Sequence, residues 1–240
     1  MCSNLLLRDV ALTIISLLEA RDVCSLGCCS CFWRDLCFSN CVWAHLFRRR
    51  WPHADVAQLN SSTCAASGAT PLIPPEGWKA LYIESHKKIA QETSFVIHEI
   101  DQGAPLNSLE VTRYLSAIKQ LSTLSLGFED VCLFLFRPKL SVVVNLIGLH
   151  YSILYLHIPP KEVFEALTRC QVARRQVCLS WLKVGRWLHG FRLRDENYTR
   201  RISLEELTMS EEEPILAMLN RGAVHEVIRI QICSADSRMS

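Results

Sequence analysis

Between Leu7 and Leu46, the residues Leu7, Asp9, Val10, Ile14, Leu17, Leu18, Asp22, Val23, Leu26, Trp33, Leu36, Trp43 and Leu46 recur at spacings suited to several short packed helices. Val10, Ile14, Leu17 and Leu18 stand at i, i+4, i+7 and i+8, which predicts one apolar stripe on a helix capped by Asp9. Asp22 predicts the cap of a second helix carrying Val23 and Leu26. Trp33 and Leu36 lie a turn apart on a third, and Ser39 precedes a fourth that carries Trp43, Leu46 and Phe47. Four short helices enclose little core, so a segment of this size usually needs a further surface to complete it.

Read in order (Leu7-Arg8-Asp9-Val10, Ile14, Leu18, Asp22-Val23, Leu26, Trp33-Arg34-Asp35-Leu36, Val42-Trp43, Leu46), this run resembles an F-box. It departs from that family's pattern at Arg8, where proline is usual, at Cys29-Ser30, and at Val42. The resemblance implies docking to a Skp-family adaptor through Leu7, Val10, Ile14, Leu18, Leu26, Trp33, Leu36, Trp43 and Leu46. Through that adaptor the chain would join a cullin scaffold and a RING-activated ubiquitin-conjugating enzyme, as the substrate-recognition subunit of an SCF-type ubiquitin ligase. An Arg50-Trp51-Pro52 ending followed by Trp78-Lys79-x-Leu81-Tyr82 is similar to what plant F-box proteins show. The competing reading of residues 5 to 48 is an ordinary helical subdomain of a larger core.

The chain has 240 residues, 50% of them apolar and 21% charged, enough for a small module and one larger domain. A net charge of +2 without a basic tail argues against a nucleic-acid binder, and Arg48-Arg49-Arg50 reads as the solvated end of a helix. Arg8, Asp9 and Glu19 interrupt the first twenty residues, so no secretory leader and no disulfides are expected, and the expected location is cytoplasmic or nuclear. Seven of the twelve cysteines fall in the first 41 residues. Cys28-x-x-Cys31 and Cys37-x-x-x-Cys41 could supply four thiolates to a structural zinc, which would make the chain a cysteine-rich, zinc-stabilised regulatory protein. Helical order running through both pairs, at Trp33, Leu36 and Trp43, instead favours thiols that pack as small hydrophobes, with no metal or cofactor.

The fold class expected is α+β: a helical module over 1–52, a linker over 53–75 rich in Ser, Thr, Gly and Pro, a mainly helical domain over 76–233 that ends in a small antiparallel sheet, and a tail over 234–240. Trp78, Leu81, Tyr82 and Ile89 predict a helix over 76–92. Asn107 and Glu110 resemble a capping box for a helix over 108–125. No Asp, Glu, Lys or Arg lies between Leu140 and Pro160, but Ser141, Asn145, His150, Ser152 and His157 argue against a membrane span and for a buried helix or two strands. Pro159-Pro160 predicts the start of another helix carrying Val163, Phe164 and Leu167.

From Gln176 onward the period approaches two. Val177, Leu179 and Trp181, then Phe191 and Leu193, Ile202 and Leu204, and Ile228, Ile230 and Ile232 predict four strands, with Gly185 in a hairpin turn and a helix near 211–221 before the last. No phosphate loop, nucleophile elbow or His-Glu-x-x-His helix is present, and Cys178 with His189 or His225 is the one pairing that could be drawn as nucleophile and base. Trp181, Trp187, Arg192 and Arg194 are the candidate contacts to an unidentified protein substrate, since guanidiniums and aromatic rings suit acidic or phosphorylated peptides. The competing reading of those side chains is the polar face of a half-exposed sheet.

Overall fold

A computed structural model describes residues 2–52, 77–102, 108–209, 215–221 and 227–234, with side chains over the same ranges except 2–7, 108 and 227–229. The expected linker over 53–75, Asn107, Gly222, His225 and residues 235–240 lie outside the described residues. The chain forms two compact units, Met1–Ile89 and Ala90–Ser240.

The first unit contains α1 (Cys2–Ser16), α2 (Ala20–Leu26), α3 (Cys31–Cys37), α4 (Asn40–Arg50) and the start of α5 (Trp78–Gln102). The four helices expected over 7–50 are present, but α1 begins well before Asp9, so Asp9 is a mid-helix residue and not a cap. Asp22 lies in the first turn of α2, whose N-cap is Glu19. The N-cap position of α3 is Ser30, whose hydroxyl accepts from the Trp33 amide at 3.4 Å. The core joins Ala11 and Ile15 of α1 to Val23, Leu36, Val42, Trp43, Leu46 and Phe47, and continues through Trp51 to Trp78, Leu81 and Tyr82. α5 therefore supplies part of the surface that four short helices lack, and the unit reaches beyond the module expected over 1–52.

The second unit is mixed. Its strands are β1 (Ser108–Glu110), β2 (Gln176–Lys183), β3 (Trp187–Leu188), β4 (Phe191–Arg192), β5 (Glu196–Ser203) and β6 (Val227–Ser234). Its helices after α5 are α6 (Val111–Thr123), α7 (Phe128–Phe134), α8 (Val142–His150), α9 (Pro160–Arg169), α10 (Leu204–Met209) and α11 (Ile215–Arg221). β1, β6, β2 and β5 form an antiparallel sheet in that order. On one face Leu109 stands opposite Ile232, which stands opposite Leu179, and all three are fully or almost fully buried. β1 replaces the first turn of the helix expected over 108–125, so α6 starts at Val111. α9 begins at Pro160 as the sequence predicts, the missing amide being harmless in a first turn.

The strand predicted at Phe191 and Leu193 is not part of this sheet. β3 and β4 make a separate two-stranded hairpin through His189 and Gly190, whose φ values of 48° and 85° match the primed turn that joins twisted strands with two residues. Phe191 and Leu193 are 78% and 51% exposed, which corrects the expectation that they face a core. Gly185, read as a turn residue, instead packs against the far side of this hairpin: a Cβ there would lie 1.8 Å from the Leu193 carbonyl oxygen.

Residues 142–155 are helical throughout, α8 passing directly into a π-helical turn over Tyr151–Tyr155, so the choice between helix and strands falls to helix. α8 is buried on every side, and its polar residues are paired within the unit. The Asn145 amide donates to the carbonyls of Leu135 at 2.6 Å and Arg137 at 3.3 Å, while its oxygen accepts from Arg175, which also donates to the Leu140 carbonyl at 2.7 Å. The Ser152 hydroxyl donates to the Gly148 carbonyl at 2.8 Å. Gly148 permits the close approach of the preceding turn, since a Cβ would come within 2.9 Å of the Leu135 Cβ. No helix among the described residues is long and apolar enough to cross a membrane.

His150 shares a 2.8 Å hydrogen bond with the Tyr114 hydroxyl through Nδ1 and is completely buried. Burial pushes its pKa down to about 4, against a smaller opposing effect from Asn220, so the folded ring is neutral at pH 7. An unfolded histidine protonates near its ordinary value of about 6.5, so the unfolded chain binds the extra proton first as pH falls. This stabilisation is present above about pH 6.5 and disappears by about pH 4, a loss of about 3 kcal/mol. Urea unfolding at pH 7.5 and pH 4 should show wild type losing about 3 kcal/mol more than His150→Gln over that interval. Parallel losses in the two proteins would contradict the assignment.

Candidate protein-docking sites

α1 divides its apolar residues between two faces. Ala11 and Ile15 are buried, whereas Val10 and Ile14, with Leu17 in the turn that follows the helix, are 56%, 46% and 78% exposed. The stripe predicted from periodicity is thus an outward row, and the smaller Ala11 with Ile15 forms the inward one. Leu18, Leu26 and Trp33 are partly buried against the core. Leu36, Trp43 and Leu46 are buried, so they shape the unit from inside and are not surface contacts, a correction to the reading that all three meet an adaptor. The side chain of Leu7 lies outside the described ones. Phe32 and Phe38, which the sequence reading did not single out, are also exposed. An apolar hollow of about 160 Å³ opens between α1 and α4, lined by Leu12, Ile15, Val42 and Leu46 with His45 and Cys41 at its rim.

An aromatic cluster holds this unit together. Trp43 Nε1 donates to the Cys37 carbonyl at 2.8 Å, and the Trp43 ring meets Tyr82 edge-on at 5.3 Å. Phe47 contacts Trp51 and Trp78, with ring centres 5.1 Å and 5.7 Å apart, and Trp51 lies 5.0 Å from Tyr82. The arginine run is not a solvated helix end. Arg49 donates through two nitrogens to the Ser16 and Leu18 carbonyls, at 3.0 Å and 2.9 Å, and so caps the C-terminal end of α1. Arg50 is 6% exposed, donates to the Tyr82 hydroxyl at 2.6 Å, and lies over the Trp51 ring at 4.8 Å. It also meets His86 Nδ1 at 3.0 Å, and because a guanidinium only donates, that nitrogen must be the ring's acceptor.

Among the described residues no three His, Cys, Asp or Glu side chains come together in a way that could hold a metal ion. Cys37 is buried, while Cys24, Cys28, Cys29, Cys31 and Cys41 are exposed free thiols. Cys178 stands opposite Cys233 and Arg201 in the sheet, whereas His189 occupies the turn of the separate hairpin. Burial, with the Cys178 thiol adding to it, raises Cys233 above the ordinary thiol range.

The four candidate substrate contacts fall on two substructures. Trp181 belongs to β2 and stacks on Tyr198 of β5 at 5.6 Å, half-buried at the end of the core face. Trp187 and Arg192 stand opposite each other on the exposed hairpin, and Arg192 pairs with Asp195 at 3.3 Å. Arg194 lines a hollow of about 300 Å³ with Lys183, Arg186 and Glu196, where the hairpin meets the start of β5. That hollow depends on Gly185 fitting under Leu193, a long-range packing that strand periodicity does not reveal. No family model, curated protein or solved structure matches the chain.

Trp43→Ala should cost about 3 to 5 kcal/mol in urea unfolding, through lost burial and the lost Nε1 hydrogen bond. Arg49→Ala should cost about 1 kcal/mol, the size of a lost helix cap, instead of the zero expected of a solvated arginine. Phe191→Ala should change stability by less than about 0.5 kcal/mol, and a loss of several kcal/mol would show that the hairpin is packed.

Proposed function

We propose that this protein is the substrate-recognition subunit of an SCF-type ubiquitin ligase, docking to a Skp-family adaptor through its first unit and presenting a protein substrate with its second. The observation that carries the reading is the outward apolar row Val10, Ile14 and Leu17 on a helical unit whose own core is filled without them. Neighbouring apolar side chains left in water mark a surface kept for a partner. The apolar hollow between α1 and α4 suits an inserted side chain from that partner. The order of the module's residues is what names an adaptor of the Skp family as the partner.

In this reading the chain performs no bond chemistry. Its contribution is proximity: a substrate held by the second unit meets the charged conjugating enzyme at a raised effective concentration of its lysines. The buried residues Leu36, Trp43 and Leu46 hold the helices in register beneath the docking face, and Arg49 fixes the end of the helix that bears it.

The reading is tested by co-expression with a Skp-family adaptor and affinity capture of the complex. Val10→Asp with Ile14→Asp should lower adaptor retention at least about tenfold while the melting temperature stays close to wild type, because both positions are exposed. Lys87→Ala, at an exposed position on α5, should leave retention unchanged. Equal retention of wild type and the double aspartate variant would remove the docking claim.

A further inference from the structure

We infer that the open edge of β5, with the basic hollow at its start, takes up an extended acidic peptide as an added strand. The inference rests on the receptor reading only in calling that peptide a segment of the substrate. β5 ends the sheet order, and among the described residues β2 is the one strand that pairs with it. Residues 196–201 are exposed throughout. A strand so placed offers unpaired backbone amides and carbonyls along one side, a ready template for another chain.

The side chains on this edge state which chain it accepts. The apolar row that runs from Leu109 through Ile232 and Leu179 ends on Arg200, and on the other face Arg201 stands opposite Cys178. Charges on an edge strand repel copies of the same edge and admit a strand of opposite sign. At the start of β5, Lys183, Arg186 and Arg194 surround a hollow of about 300 Å³ against one carboxylate, Glu196, which accepts a hydrogen bond from the Tyr198 hydroxyl. Residues 183–201 contain six lysines and arginines and two acidic residues, an excess of four within a chain whose net charge is +2. A peptide carboxylate entering the hollow would meet charge-assisted donors while its backbone continues along β5.

The hollow is held open by its surroundings. The Gly185 amide donates to Asp195 Oδ1 at 2.9 Å, and the Leu193 amide donates to the Arg186 carbonyl at 2.9 Å. Asp195 also receives Arg192, so the hairpin's base is tied down through Asp195 and the Arg186 carbonyl. Arg200 and Arg194 thus bracket the first half of the edge, which is about the span of a short strand.

The test uses the full chain and a fluorescein-labelled peptide of about eight residues that alternates Glu with Val, matched to the length of β5, and reads binding by anisotropy at low salt. Saturable binding is expected, with no binding of the matching Lys and Val peptide. Replacing alternate valines by proline, which removes amides needed for strand pairing, should weaken binding at least about tenfold. The Arg194→Ser, Arg200→Ser double variant should lose about the same factor with an unchanged melting temperature, since both positions are exposed. Equal binding of the proline peptide would reduce the site to diffuse charge attraction and overturn the inference. So would full affinity in the double variant, or tighter binding of a thymidine oligonucleotide or a phosphatidylserine vesicle. Adaptor retention of the double variant, measured alongside, separates the two proposals: retention kept with peptide binding lost assigns the loss to β5, and peptide binding kept by a chain that retains no adaptor sinks the receptor reading alone.

Discussion

Closure of the first unit by aromatic side chains is the condition on which the rest of that unit depends. Four helices of at most fifteen residues bury too little surface to hold one another. Trp43, Phe47 and Trp51 are therefore packed against Trp78 and Tyr82 of a fifth helix, and the Trp43 indole hydrogen is satisfied by the Cys37 carbonyl. Because that cluster fills the interior, Ala11, Leu12 and Ile15 are the described side chains of α1 that meet the core, while Val10 and Ile14 stay outside. Arg50 sits within the same aromatic wall with its guanidinium paired, so a charge is buried without being stranded.

The second unit solves a different problem. α8 is surrounded, so its polar residues must find partners among its neighbours. Asn145 binds the carbonyls of the turn that leads into the helix and is itself bound by Arg175, just before β2. One asparagine thereby fixes the helix, the preceding turn and the approach to the sheet. His150 and Tyr114 perform the same service between α8 and α6.

Much of this was legible in the chain. The helix order of the first forty residues, the start of α9 at Pro160, and the strands at Val177–Trp181 and Ile230–Ile232 follow directly from period and punctuation. Periodicity also found the stripe of Val10, Ile14, Leu17 and Leu18, but it detects a stripe without telling which side chains meet a neighbour: Val10, Ile14 and Leu17 are exposed, whereas Leu18 packs against the core. Phe191 and Leu193 alternate as a core strand does, yet their hairpin is too short to reach the sheet, and local pattern carries no information about what lies opposite. Arg49 and Arg50 look solvated in a run of charge because composition is blind to partners about thirty residues away, the Ser16 and Leu18 carbonyls for Arg49 and the Tyr82 hydroxyl and His86 ring for Arg50. β1, three residues long, falls below what alternation can detect.

β6 follows the other three strands of the sheet in sequence but lies inside it, between β1 and β2. Until residue 227 has been made, Leu109 and Leu179 face an empty slot, and both flanking strands present unpaired backbone. The last strand in sequence is thus a central strand of the sheet, not an edge added at one side. Pairing β1 with β6 closes a loop of more than a hundred residues, the kind of non-local contact that slows folding. A nascent chain stopped short of β6 would lack the strand that joins β1 to β2.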